Sequence, residues 1–272
     1  MPQVIYRDSQ IGRGPSPNIW GGQLLGQQFY DPSIGVAYWD DFTNVPPIVP
    51  LGTPAETFWG PYKAFANAGA TITDDGIIGG GIKITEATDN EGVSFHTTTC
   101  PFQIINSGAN SGKLLGEWRV RTSTIADNAH GFLMGFMDER TLTAILPIAA
   151  NGTLADVNFI GFQRSEADGD KLDIVYRADG VAAVTHLADA VTLVANTYKK
   201  VGLVFTPTDR TMRFYDDGIE ISGSSLTWPT AAGTSAPNDV RLGVVFAHLS
   251  AASSPGTTSL DWARAFQYTD TR

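Results

Sequence analysis

The sequence predicts an all-β protein, two antiparallel sheets packed face to face, preceded by an arm of different character. Three observations predict it. Short runs with period-two alternation of apolar and polar residues recur along most of the 272 residues, the pattern of a strand with one buried and one wetted face. Turn chemistry separates nearly every pair of runs: Asp74-Asp75-Gly76, Asn151-Gly152, Asp168-Gly169-Asp170, Asp179-Gly180 and Asp217-Gly218. No stretch sustains a helical period; the best candidate, 183–195, has a Val, Thr and His content that suits strand and loop equally well. Ten or more short strands at such spacing indicate a sandwich or barrel.

The arm comes first. Residues 1–37 hold few charges (Arg7, Asp8, Arg13 and Asp31) among Gly, Pro and Gln. The apolar pairs Ile19-Trp20, Leu24-Leu25 and Phe29-Tyr30 are costly to leave in water. They are expected to lie on something apolar, either the chain's own body or a neighbouring subunit, and the second is the working expectation. Pro46, Pro47, Pro50, Pro54 and Pro61 follow closely. Proline is excluded from central strands, so 45–62 reads as an irregular loop with Phe58 and Trp59 folded inward. Strands are expected at 81–87, 92–98, 114–122, 131–137, 157–164, 171–177, 198–205, 211–215, 240–247 and 259–268. The segment 198–221 is the clearest, with two alternating runs joined by Pro207-Thr208-Asp209 and a tight Asp216-Asp217-Gly218 turn into Ile219.

Composition narrows the function. Eighteen basic against 28 acidic residues give a formal net charge of -10, which disfavours phosphate and hence nucleic acid. No run approaches the roughly 18 apolar residues of a membrane span, and the N-terminus lacks the charged and apolar blocks of a secretory signal. The expectation is a chain made and used without export, or released by lysis. The one cysteine, Cys100, excludes an intrachain disulfide framework and reads as a small buried hydrophobe. His96, His130, His186 and His248 show no ligand spacing. Glu166-Ala167-Asp168-Gly169-Asp170 has oxygen ligands but not the pattern of a calcium loop, and reads as a hairpin turn. No metal and no cofactor is expected. Trp118 and Trp262 sit in apolar strands and are expected in the core. Trp228, before Pro229 in a loop of small residues, is the tryptophan expected to be free for stacking on a glycan.

Three segments resemble the concanavalin A-like lectin/glucanase superfamily. Tyr38-Trp39-Asp40-Asp41-Phe42 resembles its opening strand, 198–221 its hairpin region, and Ser259-Leu260-Asp261-Trp262-Ala263-Arg264-Ala265-Phe266-Gln267-Tyr268 its closing strand. The resemblance implies one jelly-roll sandwich over 38–272. The family's enzymes use a Glu-x-Asp-x-x-Glu or Glu-x-Asp-x-Glu strand to set two carboxylates about 5 Å apart. This sequence has no such strand: Asp138 and Glu139 are adjacent and point to opposite faces, and 166–170 is a turn. The expectation is therefore a non-catalytic sandwich.

Together with the apolar arm and the small-residue loops 231–237 and 250–256, this profile is similar to virion structural proteins of tailed phages. The sequence-level expectation is a capsid decoration (cement) protein located in the virion and assembled in the host cytoplasm. It would form a homo-oligomer, with a trimer the guess, and contact the major capsid protein or other virion proteins through Ile19, Trp20, Leu24, Leu25, Phe29 and Tyr30. The alternative is a carbohydrate-binding module of a phage fibre or surface protein.

Overall fold

A computed structural model describes residues 14–20, 33–43, 55–59, 62–66, 70–77, 80–86, 88–105, 112–138, 146–149, 152–230, 234–251 and 256–269. Two antiparallel sheets form the sandwich. Sheet A runs β15 (Ile219–Glu220), β14 (Thr211–Asp216), β13 (Lys199–Thr206), β8 (Leu114–Thr122), β18 (Thr257–Tyr268), β5 (Ile82–Thr85) and β4 (Thr71–Asp74). In the same sheet β1 (Gly35–Asp40) also pairs with β18, and β16 (Leu226–Thr227) with β14. Sheet B runs β12 (Val184–Thr192), β11 (Lys171–Arg177), β10 (Phe159–Arg164), β9 (His130–Asp138), β17 (Arg241–Ser250), β6 (Gly92–Thr97), β3 (Tyr62–Ala66) and β2 (Ala55–Trp59), with β7 (Phe102–Gln103) on β17. A single helical turn, α1 (Pro17–Trp20), lies on sheet A.

Alternation builds the core. Leu114, Trp118 and Val120 of β8 face Phe132, Met134 and Phe136 of β9 and Val244 and Phe246 of β17 between the sheets. Trp118 meets Phe136 edge-on at 5.4 Å, and Phe102 meets it at 5.3 Å, an arrangement aromatic quadrupoles favour. The opposite residues of sheet B, including Leu133, Met137, Phe159, Val175, Val245 and Ala247, form a second apolar cluster with Leu146, Ile148, Leu154 and Val157. Part of the outer face of sheet B is thus covered by the chain's own residues 146–149 and 152–157. At the sandwich edge Tyr62 of sheet B donates to Asp40 Oδ2 at 2.6 Å and bonds the Tyr38 hydroxyl, tying β3 to β1. Burial pushes the Asp40 carboxyl up.

The expected strands form, mostly with the ends shifted by one to three residues, and β14 turns into β15 at Asp217 (φ 47°) and Gly218 (φ 79°), the mirror-image turn that Asp-Gly favours. Two expectations need correction, and a third stretch left between strand and loop is decided. The 45–62 loop contains β2, an edge strand between Pro54 and Pro61, where proline costs no ladder bond; the side chains of Phe58 and Trp59 lie outside the described residues. The 183–195 stretch, which suited strand and loop equally well, is mostly strand: β12 pairs with β11 through a bulge, with Asp189 at φ 55°. The first sandwich strand takes in Gly35–Ala37, which the sequence reading gave to the arm. Cys100 is buried, as expected of a small hydrophobe.

Sequence spacing gave no hint that His130 and His248 would meet. Cross-strand register (Ser250 opposite His130) brings their rings to 5.0 Å between the sheets, both fully buried. His130 Nε2 contacts Thr122 Oγ1 at 3.0 Å and His248 Nδ1 contacts Thr258 Oγ1 at 2.9 Å. Beside them Arg164, also buried, donates to the carbonyls of Gly169, His130 and Ala126. Burial, and secondarily the Arg164 charge, holds His248 down at about 3 against an ordinary 6.5, and burial lowers His130 as well. Folded histidine therefore refuses protons that the unfolded chain accepts below pH 6.5. The stability this neutrality confers is complete above that pH and is lost as pH falls toward 3. Asp40, raised, acts in the opposite sense, so a difference isolates the effect. Between pH 7.5 and 5, urea unfolding of His248→Asn should lose about 2 kcal/mol less than the wild type does. Equal pH slopes for the two proteins would contradict the assignment.

Candidate functional site

The outward residues of β8, Leu115, Glu117, Arg119 and Arg121, mark the one broad sheet face that combines charge, aromatic rings and exposure among the described residues. The closing strand supplies the other half. Its register against β8 shifts between Leu260 and Trp262. Leu260 and Ala263 both point into the core, so the bulge leaves Asp261 and Trp262 together on the outer side.

Two ladders result. In the first, Asp75 accepts from Arg121 Nη2 at 2.8 and 2.7 Å, from the Tyr198 hydroxyl at 2.6 Å and from Ser259 Oγ at 3.1 Å. The Tyr198 ring carries both guanidiniums, Arg119 at 4.2 Å and Arg121 at 4.8 Å from its centroid, and Arg119 pairs with the buried Asp261. Burial, reinforced by the bond to Asp75, pushes the Tyr198 phenol up. In the second ladder the Arg264 guanidinium lies 4.6 Å from the buried Trp262 ring and 5.5 Å from Trp39. Trp39 Nε1 donates to Asp41 Oδ1 at 2.8 Å, and Arg264 Nη2 reaches the same oxygen at 3.5 Å. Trp39 is 52% exposed. It is a ring fixed at its nitrogen and stacked on a cation, with half of its surface exposed. The strand pattern held the signal: Tyr38 faces the core opposite Ala265, so Trp39 must face out.

Beside the ladders, on the same face, the start of the described chain is docked as a latch. Ile19 and Trp20 pack on Leu115, Val204, Tyr215 and Phe266. Trp20 Nε1 and the Ser16 amide both donate to Glu117 Oε2, at 2.7 and 3.1 Å. Asn18 Nδ2 donates to the Gly218 carbonyl at 2.7 Å, and Lys200 Nζ to that of Gly14 at 3.1 Å. The slot exists because residue 202 is glycine. A Cβ there would lie 2.4 Å from Ile19 Cδ1. Burial raises the Glu117 carboxyl, against the opposing pull of Ser16, Trp20 and Lys200.

These positions bear on two sequence-level assignments. Ile19 and Trp20 are buried on the chain's own sandwich, at 2% and 3% exposure, in an apolar slot of sheet A. Leu24, Leu25, Phe29 and Tyr30 lie outside the described residues. Trp228 is no glycan platform: it is 1% exposed, bonded through Nε1 to Asn238 Oδ1 at 2.7 Å and packed near Tyr176 and Phe205. The β16 pairing with β14 just before it, and the bond from the Trp228 N–H to the Arg210 carbonyl at 2.7 Å, bring the ring inward. Trp118 and Trp262 are buried as expected. The 166–170 cluster is a single 3₁₀ turn, Glu166–Asp168, with Ser165 Oγ donating to Asp168 at 2.5 Å.

No family model matches the chain, and no curated protein matches it in sequence. Solved structures do match in shape. Peanut lectin, solved with a nine-residue peptide, superposes with a TM-score of 0.53 at 14% identity, over 86% of this chain and 98% of that one. A protein of unknown function from Shewanella oneidensis MR-1 gives 0.52 at 14% identity, over 88% and 89% of the two chains. The potassium-bound carbohydrate recognition domain of Emp46p gives 0.50 at 10% identity, over 75% and 88%.

Plugging the slot tests the latch. Gly202→Leu should displace Ile19 and lower unfolding stability by about 1–3 kcal/mol, and deleting residues 1–20 in that background should cost almost nothing more, because the two changes remove one contact. Additive losses in urea titrations would show that the latch does not occupy this slot. Sheet topology, core and shape together give the chain the concanavalin A-like jelly-roll fold.

Proposed function

We propose that the protein is a non-catalytic, lectin-like module that binds a neutral glycan on the outer face of sheet A. The observation that carries this reading is the half-exposed Trp39 ring, locked by Asp41 and backed by Arg264. A pyranose presents an apolar face of C–H groups to such a ring, and a ring already immobilised loses little entropy on binding. Beside it Asp41, at 32% side-chain exposure, offers an acceptor to hydroxyl groups, and Arg121, at 27%, offers a donor further along the same face. The charges of the face are already matched within it: Arg119, Arg121 and Arg264 against Asp261, Asp75 and Asp41. An ion would have to break those pairs, whereas a neutral ligand would not. The carboxylates are engaged by guanidiniums, an arrangement suited to holding a surface rigid rather than to moving protons. Two of the similar folds are by name a lectin and a carbohydrate recognition domain. A glycan array followed by calorimetry tests the reading: Trp39→Ala should weaken the best neutral ligand at least ten-fold, about 1.4 kcal/mol, with the fold intact by circular dichroism. Unchanged affinity in Trp39→Ala, or no glycan bound by the wild type, would overturn it.

We keep as a second reading a virion structural protein of the capsid-decoration kind that attaches through its N-terminal arm. It requires Ile19 and Trp20 to leave the slot that they fill on the chain's own sandwich. Deleting residues 1–20 should then give a folded chain absent from purified particles, and full incorporation of the deletion would contradict it.

A further inference from the structure

The latch is a peptide seated in a binding slot, and what seats it is separable from the body. Its helix is one turn long, four residues, too short to be stable by itself. It holds its shape only because the slot receives it. The contact has the anatomy of an interface hot spot: a tryptophan and an isoleucine in a dry pocket, with the indole N–H and one backbone amide on a buried carboxylate. Glu117 Oε1 has no hydrogen-bond partner among the described residues, so the pocket is shaped for donors, and the latch supplies only those on one oxygen. Every slot residue named, Leu115, Glu117, Gly202, Val204, Tyr215 and Phe266, lies in sheet A, and none depends on the latch for its strand pairing.

Between Trp20 and Ser33 lie the twelve residues 21–32. A chain of that length spans at most roughly 40 Å, about the width of a domain of this size. We propose that the slot is an exchangeable site whose second occupant is the Gly14–Trp20 segment of another copy of this chain. In a dilute monomer the covalent connection holds the segment near its own slot at a local concentration that separate copies do not match, and the cis contact wins. Where copies are crowded to comparable local concentration the same contact forms in trans with nothing new to build, since slot and segment are identical. Reciprocal exchange closes a two-fold dimer; the slot's chemistry selects a Ser-Pro-Asn-Ile-Trp sequence, and Gly202 is its specificity determinant.

The test separates slot from segment. One chain carries an open slot and no segment (residues 1–20 deleted); the other carries a segment and a plugged slot (Gly202→Leu, or Gly202→Ala, which sets the same Cβ against Ile19). Each alone should run as a monomer by light scattering, and the mixture at about 100 µM should give a one-to-one complex. Trp20→Ala in the plugged chain should abolish it. A full-length chain with Ile19→Ser and Trp20→Ser provides a second open slot should the truncation not fold. Failure of both open-slot chains to associate with the plugged chain overturns the proposal, as does a complex that survives Trp20→Ala. Neither result bears on glycan binding at Trp39.

Discussion

Strand β8 is hydrogen-bonded along both edges, to β13 and to β18, and its strict alternation is the constraint from which the rest follows. One row of its side chains fills the core, with Trp118 against Phe136. The other row runs from the apolar slot at Leu115 through the buried Glu117 to Arg119 and Arg121. A slip of one residue would drive two guanidiniums between the sheets and bring Trp118 into water, so the pattern fixes its own register. The outer face is thereby as rigidly placed as the core behind it.

That coupling explains why the two faces of the sandwich differ. Sheet B carries a second apolar cluster on its outer side, while Lys171, Asp173 and Arg177 of β11 stay partly exposed on that side. Sheet A is apolar on one side only. Its other side carries guanidiniums stacked on Tyr198, Trp262 and Trp39, which keep their charge while lying flat on rings, an arrangement available to arginine and not to lysine. The protein as a whole is strongly acidic, with a net charge of -10, yet this face balances its charges pair by pair. A surface that is neutral, aromatic and immobile suits a ligand read by shape and hydroxyl groups.

Much of the fold was legible because alternation and Asp-Gly turns are local signals. The hairpin from β13 through β14 to β15 is written in consecutive residues, and so is the outward direction of Trp39 once Tyr38 is taken as core. The remainder depended on contacts between distant segments. His130 and His248 are 118 positions apart and meet only because β9 pairs with β17. Trp228 looked free because its neighbours are small and polar, but the loop's path, not its composition, decides burial. Ile19 and Trp20 were recognisable as needing shelter. Which surface shelters them was not, since the slot is defined by the absence of a side chain at Gly202 on a strand 180 residues away. The β2 edge strand was hidden by flanking prolines that mark a strand's ends as readily as a loop.

Trp118, Trp228 and Trp262 in the core, Trp20 in the latch and Trp39 on the surface allow the outer face to be interrogated directly. With fluorotryptophan incorporated and each ¹⁹F resonance assigned by substitution, titration with a neutral glycan should move the Trp39 signal and leave those of Trp118, Trp228 and Trp262 in place. A shift confined to any buried tryptophan, with Trp39 unmoved at saturation, would contradict the account.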